Sequence, residues 1–259
     1  MTNRVLFDTC PLCECSFLVD SIQSDCSKHP LFQASIGAEM RWKQCTNCAH
    51  VFTEGYFTDE ACKLIFNKTN ASQQVGYQVE QQRHVSSRLI EKVLPYASRG
   101  IWMDVGFGNG SLLFTAQEYG FEPVGLDLRA ENVNAMTSLG ILAFCNDLTT
   151  APLDVKCAVV SMADVLEHMP YPKEGLRAAW NLLDDSGILF VSMPNMESVV
   201  WEALDQNNAN PYWGELEHYH NFSRSRLFKL LLETGFEPVR YGISERYRVC
   251  MEVIARKLI

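Results

Sequence analysis

The chain has no uninterrupted apolar run of the ~18 residues that a membrane-spanning helix requires, which argues against an integral membrane protein. It is also short of positive charge. Against 31 Asp and Glu stand 22 Lys and Arg, a formal charge of -9, so the molecule as a whole repels phosphate backbones and anionic lipid surfaces. The opening residues, MTNRVLFDTCPLC, lack the apolar stretch of a secretory signal, and a cytoplasmic location is the expectation. With 47% hydrophobic and 20% charged residues, the composition excludes fibrous and disordered classes and permits a packed core. These balances disfavour nucleic acid and membranes as partners.

Cysteine, by contrast, is plentiful and unevenly placed. Of ten cysteines, six fall in the first fifth of the 259 residues: Cys10, Cys13, Cys15, Cys26, Cys45 and Cys48. Secreted disulfide scaffolds are usually much shorter chains, so a metal site is the better reading. Cys10-Pro-Leu-Cys13 and Cys45-Thr-Asn-Cys48 are two C-x-x-C pairs, each able to turn two thiolates toward one tetrahedral ion, and four thiolates suit a structural zinc. Cys15, Cys26, His29 and His50 are spare candidates without paired spacing. A redox role is disfavoured because neither pair opens a helix in a βαβ pattern. The expected organisation is a zinc-ribbon-like module over 1–66, a helical connector over 67–98 and a main domain over 99–259. A module this small has little core, and a metal would supply the missing stability.

From residue 100 onward short apolar runs alternate with helical segments, the pattern of a doubly wound α/β sheet. Strands are expected at 101–105, 122–127, 142–146, 158–162 and 188–193, and helices at 111–119, 130–139, 173–183 and 223–234. The runs at 236–243 and 247–257 are joined too closely for a helical crossover, so they form a hairpin and the last strand is antiparallel. The first strand ends in Asp104-Val105-Gly106-Phe107-Gly108-Asn109-Gly110, a turn that lets a ligand approach the backbone. Its G-x-G-x-G spacing differs from the G-x-G-x-x-G of dinucleotide binders, which disfavours a dehydrogenase. The second strand ends in Asp127, suited to ribose hydroxyls, and the third is followed by Asp147, suited to a base amine. Three polar tips along one sheet edge point to a nucleoside-type ligand.

The series DVGFGNG, GLD, ND and SMADVLEHMPYPKEGLRAAWNLLDDSGILFVSMPN, within residues 77–259, resembles that of class I S-adenosylmethionine-dependent methyltransferases. The resemblance implies a seven-stranded sheet with an antiparallel last strand, and S-adenosylmethionine as cofactor. It implies that Asp104, Gly106, Phe107, Gly108 and Gly110 hold the methionine half and Asp127, followed by Leu128, the ribose. Asp147 and Leu148 would hold the adenine, with Met162 and Ala163 beneath the cofactor. Phe107 stands where that family usually has a small residue, which implies a reshaped pocket wall. CPLC and CTNC followed by AHVFTEGYF, together with Glu217-His218-Tyr219-His220-Asn221-Phe222-Ser223, are similar to segments of methyltransferases acting on sugars and nucleotide sugars. There the histidine region serves proton transfer, with a tyrosine where this chain has Asn221.

Methyl transfer from a sulfonium is an in-line displacement in which the enzyme chiefly aligns and deprotonates the acceptor. His218 is the first candidate base, with His220 and His168 as alternates, although His218 and His168 also suit structural roles beside helix starts. Asp164 could bond a cofactor or substrate, and Arg83 could meet the cofactor carboxylate or lie on the surface. The segment 199–214 reads as too polar in its middle for a core helix, and its rings Trp201, Tyr212 and Trp213 suit either a lid or packing against the zinc module. The leading expectation is a small-molecule methyltransferase acting on a sugar or glycan precursor or a secondary metabolite. The alternatives are a ribosomal RNA base methyltransferase with a zinc reader and a non-catalytic binding module.

Overall fold

The computed structural model describes residues 3–66, 71–151, 153–154 and 156–259, so residues 67–70 of the expected connector lie outside it. Two compact units divide the chain. One comprises 70–166, 174–193 and 231–259; the other comprises 1–69, 167–173 and 194–230.

In the sheet unit, helix α1 (Val79–Val93) precedes strand β1 (Gly100–Val105), followed by α2 (Ser111–Glu118), β2 (Phe121–Asp127), α3 (Ala130–Ser138), β3 (Leu142–Cys145) and β4 (Cys157–Ala163). Then come α4 (Pro172–Leu182), β5 (Leu183–Pro194), β6 (Phe236–Ile243) and β7 (Cys250–Lys257). The seven strands lie in the order β6-β7-β5-β4-β1-β2-β3. The five strands β1 to β5 pair in parallel where they meet, and β7 runs antiparallel to β6. The expected doubly wound sheet with an antiparallel last strand is therefore present, and that strand is inserted between β5 and β6. Apolar residues on both faces explain the continuous hydrophobic runs. Trp102, Val159, Ile188 and Phe190 pack with Leu89, Ile90 and Leu112, all buried.

The second unit is built from antiparallel strands. Segments Leu18–Asp25, Glu39–Cys45, Val51–Thr53 and His220–Asn221 form one sheet, and Arg4–Leu6 pairs with Gly55–Phe57 in another. This unit extends beyond the expected 1–66 module, because residue pairs His220↔Phe52 and Asn221↔Val51 add a late strand to an early sheet. The segment expected to be too polar for a core helix is helical over Val199–Gln206, with Ser198 accepting a hydrogen bond from the Trp201 N–H as N-cap. Its polar residues serve the buried rings: Asp205 Oδ1 accepts from Trp213 Nε1 at 2.7 Å and from Asn210 Nδ2 at 2.8 Å. Trp213 packs edge-on against Trp42, whose Nε1–H donates to the Trp213 carbonyl at 2.9 Å. Of the two roles open to these rings, packing against the cysteine-bearing strands is the one observed, and the lid reading is set aside for Trp201 and Trp213.

Candidate functional site

The glycine loop after β1 owes its path to backbone conformations that side chains resist. Gly106, Gly108 and Gly110 have φ of 67°, 53° and 76°, and a Cβ on Gly106 would stand 2.9 Å from Val165. The loop therefore presents backbone to any ligand. Parallel register places Asp104 opposite Gly125 and Asp127 opposite Cys145, so the acidic tips of β1 and β2 follow one another along the sheet edge. Asp127 braces the loop, accepting from the Gly108 N–H at 3.1 Å and the Arg129 N–H at 2.9 Å.

Asp104 is buried and held by a relay in which Trp102 Nε1–H donates to Ser161 Oγ at 2.9 Å and Ser161 in turn donates to Asp104 Oδ1 at 2.6 Å. Burial pushes its carboxyl up to about 7, against the Ser161 hydrogen bond and the attraction of Arg246, with Asp127 adding to the rise. Ser161 and Arg246 escaped the sequence reading, since nothing local marks a strand serine or a hairpin arginine as partners of an acid so distant in sequence.

Phe107 corrects one expectation. Its ring is buried with Leu113, Val133, Met136 and Ile141 and lies where a Cβ on Gly125 would be, 2.7 Å away. The ring faces this core cluster, and its backbone belongs to the loop. Further along the edge, Asp147 accepts from the Thr149 N–H at 2.8 Å, Leu148 is buried and Leu128 is exposed. Met162 is buried at the end of β4 and Ala163 is half-buried. Asp164 follows with φ 56°, accepting from Ser192 Oγ at 2.9 Å and lying 3.5 Å from Arg246. Arg83 is on the surface, paired with Glu118 at 2.9 Å, so its cofactor role has no support.

In the antiparallel unit the four expected cysteines converge. Their sulfurs all lie within 4.8 Å of one another, with Cys10 and Cys48 at 3.6 Å and Cys13 and Cys45 at 3.5 Å. Zinc–sulfur bonds of about 2.3 Å place tetrahedral ligands about 3.8 Å apart, so the set fits that ion. The two knuckles repeat one geometry: Glu14 N–H donates to the Cys10 carbonyl and Ala49 N–H to the Cys45 carbonyl, with φ of 63° and 57° at those residues. The spare candidates are engaged elsewhere. Cys26 Sγ faces the Gly37 carbonyl, His29 pairs with Glu215, and His50 bonds His220.

The histidines separate by their partners. His220 is occupied on both ring nitrogens, with Nε2–H donating to the Met169 carbonyl at 2.9 Å and Nδ1 facing His50 Nε2 at 3.0 Å. Burial lowers it to about 4, helped against two backbone contacts by the nearby His168, and with both nitrogens engaged it turns no free lone pair toward an acceptor. His168 donates from Nδ1 to the Glu217 carbonyl at 2.9 Å, which leaves Nε2 as its lone-pair nitrogen. The buried His218 packs edge-on to His168 with centroids 4.8 Å apart, and its Nδ1 has no hydrogen-bond partner among the described residues. Burial first, then His168, His29 and His220, keep it neutral well below its usual range. Asn221 is buried.

A seven-stranded sheet of this order, with a glycine loop and acidic strand tips at one edge, defines the class I S-adenosylmethionine-dependent methyltransferase fold. The sequence model described as "Methyltransferase domain" matches residues 78–241, more than half of the chain, and the protein belongs to that family. Curated proteins include no match. Among solved structures, an S-adenosylmethionine-dependent methyltransferase from Clostridium acetobutylicum is 14% identical with a TM-score of 0.55, covering 72% of this chain and 94% of its own. Another from Methanosarcina mazei is 15% identical with a TM-score of 0.52, covering 66% and 97%. The 1,6-didemethyltoxoflavin-N1-methyltransferase of Burkholderia thailandensis, solved with 1,6-didemethyltoxoflavin and S-adenosylhomocysteine bound, is 15% identical with a TM-score of 0.58, covering 83% and 99%.

Proposed function

We propose that the protein methylates a hydroxyl-bearing small molecule, a sugar or glycan precursor or a related secondary metabolite, with a structural zinc on Cys10, Cys13, Cys45 and Cys48. The observation that supports the acceptor side is the buried His218, whose Nδ1 has no hydrogen-bond partner among the described residues, since a base needs a free lone pair. The acidic net charge favours a small molecule over RNA.

When bound, S-adenosylmethionine supplies an activated methyl on a sulfonium. On the protein side, the backbone of Gly106, Phe107, Gly108 and Gly110 with Asp104 holds the amino-acid half. Asp127 and Leu128 take the ribose, Asp147 and Leu148 the adenine, and Met162 and Ala163 underlie it. His218 takes the acceptor proton, with His168 beside it as a second basic site. Replacing His218 by alanine is expected to leave cofactor affinity unchanged and to cut turnover by about 10²–10⁴-fold, the usual contribution of a positioned base. Full turnover in that variant removes His218 from the chemistry.

Asp104 gives a pH signature. Below about 7 its carboxyl holds a proton, whereas a bound ammonium demands the carboxylate, so binding expels the proton. S-adenosylmethionine affinity is expected to rise with pH by up to ~10-fold per unit below pH 7 and to level off above it. Calorimetry in two buffers of different ionisation enthalpy reads the released proton directly. A flat profile with no proton release would remove Asp104 from the ammonium.

A further inference from the structure

We propose that Glu167, His168 and His218 bind a divalent transition-metal cation at a site separate from the four cysteines. One donor atom from each side chain lies within 4.8 Å of the other two. Bonds of about 2.1 Å to nitrogen and oxygen hold such donors roughly 3–3.5 Å apart, so an ion would draw together groups that already share one spot. Two imidazoles and one carboxylate form a donor set suited to Fe²⁺, Mn²⁺ or Zn²⁺.

Three features of these residues go beyond proximity. The Glu217 carbonyl can only accept a hydrogen bond, so His168 carries its proton on Nδ1 and turns the Nε2 lone pair outward. An outer hydrogen bond of this kind is what fixes metal-ligating histidines. His218, 7% exposed, has a buried nitrogen without a hydrogen-bond partner among the described residues, a desolvation cost that a bond to a cation would relieve. Glu167, 1% exposed, brings a carboxylate group into the interior beside these two rings.

Three protein ligands leave coordination positions open, and those positions suit a ligand with two neighbouring oxygens, such as a diol. In this last respect only, the inference deepens the acceptor reading above and rests on it. A His218 nitrogen bound to the cation cannot also take the acceptor proton, so the metal and base roles of that nitrogen exclude one another.

The test is titration of the zinc-replete full chain with Mn²⁺, followed by loss of the free-ion paramagnetic resonance signal, and then with Co²⁺, followed by visible absorption. One Mn²⁺ per chain is expected, with affinity at least ~10-fold weaker in Glu167→Gln and in His168→Gln and with zinc content unchanged. Absence of saturable binding of either ion to the wild type, or equal binding in both variants, overturns the proposal. Should the variants fail to fold, the wild-type Co²⁺ spectrum decides: nitrogen and oxygen ligand-field bands support the site, and thiolate charge-transfer bands alone overturn it. A wild type that binds neither ion while His218→Ala still loses turnover overturns the metal site and leaves the base assignment standing.

Discussion

Serine in place of Cys10 and Cys45 is expected to remove one zinc per chain and to unfold the antiparallel unit. The physical reason is scale. Apparent zinc-binding energies in small thiolate sites are about 10–16 kcal/mol, while whole domains are stable by about 5–15 kcal/mol. Both residues are buried, and each heads one of the two matching knuckles, so losing them breaks the sulfur cluster on both sides. Metal analysis and thermal unfolding followed by circular dichroism read the outcome, with Cys15→Ser as the control that retains metal and melting temperature. Unchanged zinc content and melting temperature in the double variant would falsify the structural-zinc assignment. Because His50, just after the second knuckle, bonds His220, and His220 bonds Met169, the damage is expected to reach the histidine segment and to lower turnover as well.

The second large effect concerns Asp127. Alanine there is expected to weaken S-adenosylmethionine binding by more than tenfold. Two hydrogen bonds that ribose hydroxyls donate to a carboxylate are worth about 1.5–3 kcal/mol each, which places the loss at up to ~10⁴-fold. The carboxylate also accepts from the Gly108 and Arg129 N–H groups, so its removal loosens the loop that presents backbone to the cofactor. Calorimetric titration distinguishes the contributions when Asp127→Asn is measured in parallel, since the amide oxygen keeps one acceptor. Equal affinity in wild type and Asp127→Ala would exclude Asp127 from the ribose.

Much of the parallel sheet was legible in the residues. Its central strands β1, β4 and β5 are largely buried, so each reads as a short apolar run, and the glycines after β1 mark a turn that no other residue type enters cheaply. The paired cysteines were legible for a similar reason, since C-x-x-C is a local geometry. Phe107 was misread because its type, a large ring in a loop of glycines, says nothing of direction. The ring turns into the core beside Gly125, whose missing side chain makes the room. The polar segment after β5 misled through composition, as Asp205 and Asn210 are polar in order to satisfy one another and the Trp213 N–H.

The sequence by itself determined the alternation of strands and helices, the acidic residues at the strand ends, the glycine loop and the two thiolate pairs, all of which arise from neighbours within a few positions. The tertiary structure alone decided four other things. It placed the last strand between β5 and β6, recruited His220–Asn221 to the sheet of the N-terminal residues, engaged both nitrogens of His220, and brought Glu167 and His168 to His218. These join residues far apart in sequence, as with His50 and His220 at a separation of 170. Local propensity carries no term for them. They are selected when the whole chain must bury its apolar surface and satisfy its buried polar groups together.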